Sequence, residues 1–257
     1  MRTKQHYFHT LSESKKALII TIEIIIGLIF SILSMLIFYK IVGYIGKESL
    51  GNLDSKLVTT IATIRTPFLT KIMLFFTYLG GPFPVTLATL LISLLLLKKH
   101  KKEAALFLIT MIMGVIINAS LKTIFNRPRP QIYPLIIESS KSFPSGHAMN
   151  NLIFYSLLVF LTYHLSKSKK LTFIAGCFST LIVALISFSR IYLGAHYLSD
   201  ILAGYIVGFW WITTVLSVAY TMILFNLFMP KPTLTERIIA FFKKLINILC
   251  RHQILQL

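Results

Sequence analysis

The stretch Ser189-Arg190-Ile191-Tyr192-Leu193-Gly194-Ala195-His196-Tyr197-Leu198-Ser199-Asp200 sets a guanidinium, an imidazole and a carboxylate close together between two long apolar runs. His196 and Asp200 stand four apart, so a helical turn through them would stack both on one face. A carboxylate so placed accepts a hydrogen bond from one ring N–H and leaves the other nitrogen as base or nucleophile. Arg190 adds a planar fork that matches phosphate oxygens in bidentate fashion. The plain alternative is a histidine capping a helix and an aspartate favouring its dipole. What surrounds the stretch decides between the two.

The surroundings are membrane-like. The 257 residues are 56% hydrophobic and only 13% charged, with a mean hydropathy of +0.78. Soluble domains carry about a quarter charged residues, so this is an integral membrane protein. The net charge of +18, from 26 Lys and Arg against 8 Asp and Glu, fits nucleic acid, lipid surfaces or phosphorylated ligands. The apolar content decides against nucleic acid. Cys177 lies in an apolar run and Cys250 near the C-terminal end, which suggests no disulfide framework and excludes a thiolate-rich zinc site. The first apolar run is long and lacks a small-residue cleavage site, so it is expected to be a retained span rather than a signal peptide.

Apolar run lengths predict an all-α chain with six transmembrane helices, since about 20 apolar residues cross a bilayer. The spans are Leu18 to Val42, Gly80 to Leu97, Ala104 to Leu121, Ala148 to His164, Leu171 to Phe188 and Ile201 to Leu227. Glu23, in the first turns of the first span, reads as an interfacial carboxylate. Between the first two spans, Leu53, Leu57, Ile61 and Ile64 recur at helical spacing beside Asp54, Lys56 and Arg65, the pattern of a helix lying in the interface. The apolar stretch from Phe68 is broken by Gly80-Gly81-Pro82, too early for two full spans, so a short outer helix to Leu79 is expected ahead of the second span. After Pro232, Thr233-Leu234-Thr235-Glu236 reads as a capping box. It opens an amphipathic tail over residues 232–257, with Phe241, Phe242 and Leu245 opposite Arg237, Lys243 and Lys244. The whole of residues 1–257 reads as one membrane domain.

With six spans, both termini share a side with the basic loops at Lys98–Lys102 and Lys167–Lys170. Short loops rich in Lys and Arg stay in the cytoplasm, so Lys122–Lys141 and Ser189–Ser199 face outward together. A seventh span at 68–79 would put the 98–102 cluster and the basic N-terminus on opposite sides.

Two more polar segments fall on that outer side. Lys122-Thr123-Ile124-Phe125-Asn126-Arg127-Pro128-Arg129-Pro130 holds three cations, and its prolines keep both arginines out of regular helix. Cations held in place lose less freedom on binding an anion, although a lipid-headgroup contact is the plain alternative. Ser142-Phe143-Pro144-Ser145-Gly146-His147 precedes the fourth span. Ser145 and Gly146 at a helix start leave backbone N–H groups free for an anion, with His147 a turn or less away. Ser145 as a simple N-cap and His147 as an interfacial aromatic are the alternatives. Together the segments gather Lys122, Arg129 and Arg190 around one anion beside two histidines and a carboxylate. A metal site built on His147, His196 and Asp200 is rejected on charge, because three fixed cations repel a divalent metal.

These residues resemble the type 2 phosphatidic acid phosphatase superfamily of integral membrane lipid phosphatases, related to acid phosphatases and vanadium haloperoxidases. Lys122, Arg129 and Pro130 meet its first motif, Lys with Arg-Pro after six residues. Pro144 to His147 meet its Pro-Ser-Gly-His. Ser189, Arg190, His196 and Asp200 meet its third motif, in order and without departure. The resemblance implies that His196 is the nucleophile, forming a phosphohistidine, and that Asp200 orients it. It implies His147 as the acid for the departing oxygen, and Lys122, Arg129, Arg190, Ser145 and Gly146 as the phosphate-binding groups. Arg127 matches no motif position and reads as a headgroup contact.

The implied function is hydrolysis of a lipid phosphate or diphosphate at the outer face of the cell membrane, without cofactor or metal, as fixed cations can stand in for magnesium. For a compact bacterial protein the expected substrates are undecaprenyl diphosphate, phosphatidylglycerol phosphate or phosphatidic acid. Leu135-Ile136-Ile137 either flanks the lipid's path or packs onto the bilayer. The alternatives are a lipid phosphotransferase using the same intermediate, and a non-catalytic transporter or scaffold that binds anionic lipid.

Overall fold

The structure, a computed structural model, describes residues 12–45 and 47–228, so the amphipathic tail expected over 232–257 lies outside the described residues. Those residues form eight helices and no strand. They are α1 (Glu13–Tyr44), α2 (Glu48–Thr63), α3 (Pro67–Leu79), α4 (Pro82–Leu97), α5 (Lys101–Phe125), α6 (Gly146–Ser166), α7 (Lys169–Tyr192) and α8 (Leu198–Phe228). Residues 26–216 make one compact unit, and the described ends, 12–25 and 217–228, belong to another.

The helix limits follow from local chemistry. Thr66 caps α3 by accepting the Leu69 N–H at 3.2 Å, and Ser168 caps α7 through Leu171 N–H at 3.2 Å. Pro67 and Pro82 occupy first-turn positions, where a missing N–H costs nothing. Asn126 ends α5 in the left-handed region at φ 46°, a conformation asparagine tolerates.

Five helices, α1 and α5 to α8, are long and apolar enough to cross a membrane. The expected second span, Gly80 to Leu97, is α4, of 16 residues; it is long enough to cross only as a pair with α3, of 13 residues, the two meeting at Gly80-Gly81 with a bend of 44°. Asn151 on α6 clamps the break, its amide donating to the Gly80 carbonyl at 2.8 Å. Gly80 has to be glycine, for a Cβ there would stand 2.4 Å from Ile186 of α7.

In the 26–216 unit, α6 packs against α5 and α7, α3 against α7, and α4 against α5. Phe107 and Met111 of α5 meet Met149, Ile153 and Leu157 of α6 and Val207 of α8 in the main core. Gly204 and Gly208 let α8 press onto the start of α6: a Cβ at Gly204 would lie 2.7 Å from the Ser145 carbonyl.

Helix α2 does not turn its whole apolar stripe inward. Leu53 and Ile64 are exposed, whereas Asp54 and Val58 are buried and the helix packs on α7. The inward stripe is offset from the one the apolar pattern marks, because Asp54 has a buried partner.

Candidate active site

Four helix ends meet at the end of the bundle opposite the basic loops. The last turns of α5 and α7 bring Lys122 and Arg190, and the first turns of α6 and α8 bring His147 and Asp200. Arg190 lies within α7, which runs four residues past the expected end at Phe188, and a cation there suits the helix C-terminus. The loops 126–145 and 193–197 supply Arg127, Arg129, Glu138, Ser142 and His196.

His196 and Asp200 meet, but not by helical stacking. His196 precedes α8 and is 1% exposed. Gly194, at φ +72°, makes the turn that returns the chain, and the amides of Ala195 and His196 both donate to the Arg190 carbonyl. Asp200 Oδ2 accepts the Tyr197 N–H at 2.9 Å, as an acid does in a capping box. The same oxygen lies 3.5 Å from His196 Nδ1, with the Ser142 hydroxyl between them, 3.3 Å from Nδ1 and 2.5 Å from Oδ2. The other ring nitrogen, Nε2, faces Arg129 Nη1 at 3.3 Å. A guanidinium can only donate, so Nε2 carries the lone pair and Nδ1 the proton. Burial pulls this imidazole down to about 4; Asp200 opposes the shift, and Arg190 and Arg129 reinforce it.

Arg127 is not a headgroup contact. Its two Nη atoms reach Asp200 Oδ1 at 2.7 Å and Asp54 Oδ2 at 2.8 Å, and its side chain is 12% exposed. Burial opposes its charge, but Asp200 and Asp54 outweigh that and raise its pKa. The sequence offered no signal for this pairing, since Asp54 lies on a helix 73 residues away.

The cations form a seat closed by the loop's own acceptors. Arg129 donates to Ser140 O at 2.6 Å and Ala195 O at 2.7 Å, and pairs with Glu138 at 2.7 Å. Arg190 donates to Thr77 Oγ1 at 2.5 Å and pairs with the same Glu138, while Lys122 donates to the Lys141 carbonyl. The buried Nε of Arg190 has no acceptor among the described residues, a donor available to an anion. Burial alone would raise the Glu138 carboxyl; Arg190 and Arg129 prevail and hold it at about 2. Glu138, Ser142 and Thr77 are site residues that the motifs do not mark.

His147 Nε2 lies 3.3 Å from the Thr77 carbonyl. Ser145 acts as the N-cap, accepting Ala148 N–H at 3.4 Å, and its own N–H goes to the Asp200 carbonyl at 3.0 Å. That bond locks the α6 start to α8. The Gly146 and His147 amides have no backbone or side-chain acceptor among the described residues, so they are available to an anion.

A cavity of about 620 Å³ begins at this seat, lined by Lys122, Arg129, Glu138, Gly146, His147 and His196. It continues into an apolar wall between α4 and α5, with Val85 and Leu90 on one side and Met111 and Val115 on the other. No group of three or more His, Cys, Asp or Glu side chains suited to a metal converges among the described residues.

A model of the PAP2 superfamily matches residues 103–224, which enclose all three polar segments. Phosphatidylglycerophosphatase B of Bacillus subtilis is 33% identical over 182 residues, covering 68% of this chain and 88% of that protein. Undecaprenyl-diphosphatase of Sulfolobus acidocaldarius is 29% identical over 192 residues, covering 72% and 85%. The crystal structure of a transmembrane PAP2-type phosphatidylglycerolphosphate phosphatase from Bacillus subtilis superposes with a TM-score of 0.71 at 27% identity, over 75% of this chain and 96% of that one. With its helices in that arrangement and the three polar segments drawn to one end, the chain belongs to the PAP2 superfamily and is a multi-pass membrane lipid phosphatase of that type.

Proposed function

We propose that the chain removes a terminal phosphate from a lipid through a phosphohistidine on His196. The observation that carries this reading is the division of the imidazole's two nitrogens. Nδ1–H is held by Ser142 and Asp200, and the Nε2 lone pair faces Arg129 at the mouth of the cavity. Nε2 attacks phosphorus, the bond from phosphorus to the lipid oxygen breaks, and His147 gives that oxygen its proton. Water then attacks the phosphohistidine and gives its proton to His147, breaking the N–P bond, releasing inorganic phosphate and restoring both Nε2 and the acid. Lys122, Arg129, Arg190 and the amides at Gly146 and His147 neutralise the charge that spreads over the phosphoryl oxygens. Ser145 holds the amide turn in place and keeps its hydroxyl proton to donate.

The apolar wall between α4 and α5 suits the chain of the lipid, which supports substrates such as phosphatidylglycerol phosphate, phosphatidic acid or undecaprenyl diphosphate. The seat lies at the end away from Lys98–Lys102 and Lys167–Lys170, which supports an outward-facing site and a cytoplasmic N-terminus. Phosphate release from purified protein is the test, with those three lipids in detergent micelles and excess chelator. Release is expected for at least one lipid without an added acceptor, and His196→Ala should abolish it. Turnover in His196→Ala would end the nucleophile assignment, and a chelator-dead enzyme restored by zinc would end the metal-free one.

A further inference from the structure

We propose that Asp54 of α2 is a positioning residue for the reaction, acting through Arg127 on Asp200. This rests on the reading of His196 as nucleophile, and it adds a part of the chain that the PAP2 match over 103–224 does not reach.

Asp54 is 1% exposed, although it sits on a short helix with an exposed outer face. Its carboxylate accepts the Ser199 N–H at 3.1 Å, the Ser199 hydroxyl and Arg127 Nη2 at 2.8 Å. Burying a carboxylate is expensive unless it is fully paired, and among the described residues this one is paired with Arg127, which holds Asp200, and with Ser199, the neighbour of Asp200 in the chain. Ser199 is the neighbour of Asp200 in the first turn of α8. Arg127 Nη1 bridges Ser199 Oγ and Asp200 Oδ1, both at 2.7 Å, and its guanidinium lies 4.4 Å above the Tyr197 ring.

Two consequences follow for Asp200. The first is geometric: Oδ1 is taken by Arg127, so Oδ2 alone turns to Ser142, the Tyr197 amide and the imidazole. The second is electrostatic. A guanidinium facing Asp200 alone would neutralise the carboxylate that should stabilise positive charge on the ring. Shared between Asp54 and Asp200, it leaves one negative charge beside Nδ1–H, where positive charge develops as Nε2 bonds to phosphorus. Asp54 therefore tunes the nucleophile without touching the phosphate seat, since neither it nor Arg127 lines the cavity.

That separation gives the test. Asp54→Asn and wild type are compared as full chains, with phosphatidic acid and phosphatidylglycerol phosphate in mixed micelles and inorganic phosphate as competitive inhibitor. Asp54→Asn is expected to lower kcat about tenfold or more, the scale of one lost charge-assisted buried contact. KM and the inhibition constant of phosphate should stay within about twofold, as for an interaction felt only in the transition state. Asp54→Glu, which keeps the charge, should recover part of the rate. A wild-type kcat in Asp54→Asn overturns the proposal, and so does an equal loss of phosphate affinity. Should Asp54→Asn fail to fold, Ser199→Ala removes only the hydroxyl between Asp54 and Arg127. The same split then decides: a lower kcat at unchanged phosphate inhibition supports the proposal, and anything else overturns it. His196→Ala runs alongside, so that turnover in that variant marks failure of the nucleophile reading rather than of this one.

Discussion

An imidazole can attack phosphorus only while its lone pair is free, and enclosure gives His196 that state. Its pKa near 4 is set first by burial and then by Arg190 and Arg129, with Asp200 working against them. The acid limb of kcat/KM that belongs to this group should therefore fall near pH 4 rather than near the ordinary histidine value of about 6.5. An acid limb near 6.5 in the wild-type profile would contradict the geometry. Between 4 and the unfolded value the unfolded chain binds more protons, so this group's contribution to stability rises with pH through that window. Glu138 presents the opposite case. Held at about 2 by Arg190 and Arg129, it is a carboxylate at any working pH and occupies the two guanidinium groups proposed to bind phosphate. Glu138→Gln should weaken that competition and lower KM and the inhibition constant of inorganic phosphate by roughly tenfold. Unchanged values would mean that the loop leaves the seat without cost. At this scale the sequence was partly legible. Lys122, Arg129, Arg190, His147 and His196 stand out as polar groups in an apolar chain. Arg127, Ser142 and Glu138 have ordinary loop neighbours, and each has a partner 52 or more residues away: Asp54, Asp200 and Arg190 in turn.

Among the elements, the joint between α6 and α8 carries the site, because it fixes Ser145 against Asp200. Gly204 permits that joint, and its would-be Cβ meets a carbonyl of the backbone, which cannot swing aside. Gly204→Ala should force α8 outward, cost about 1–3 kcal/mol, and lower both the melting temperature in detergent and phosphate release. Gly176→Ala has nothing within 4 Å of the added carbon and serves as the control that should melt like wild type. The helices themselves were legible from apolar run length, and the break at Gly80-Gly81-Pro82 from turn chemistry. The ends were less so: α7 continues to Tyr192 because Arg190 pays for its burial with Thr77 and Glu138, contacts that no local pattern encodes. The inward face of α2 was not legible for a similar reason. An aspartate on an amphipathic helix reads as its wet side until a partly buried arginine is found to face it.

For the whole molecule, parity and charge did most of the predicting. An even count of spans places the three polar segments together whatever their distance in sequence, and the fold gathers them through α5 to α8. What parity cannot supply is the path of the lipid, which depends on how α4 and α5 diverge beside the break. That kinked α3–α4 pair has a kinetic consequence. On the proposed reaction, the polar seat and the apolar wall between α4 and α5 send the two products in different directions: the ion into water, the alcohol sideways into the leaflet. On that reading no lipid has to be lifted out of the bilayer. Turnover should therefore follow the mole fraction of substrate within the membrane or micelle, and diluting a fixed amount of lipid phosphate with inert detergent should slow the enzyme even when its bulk concentration is held constant.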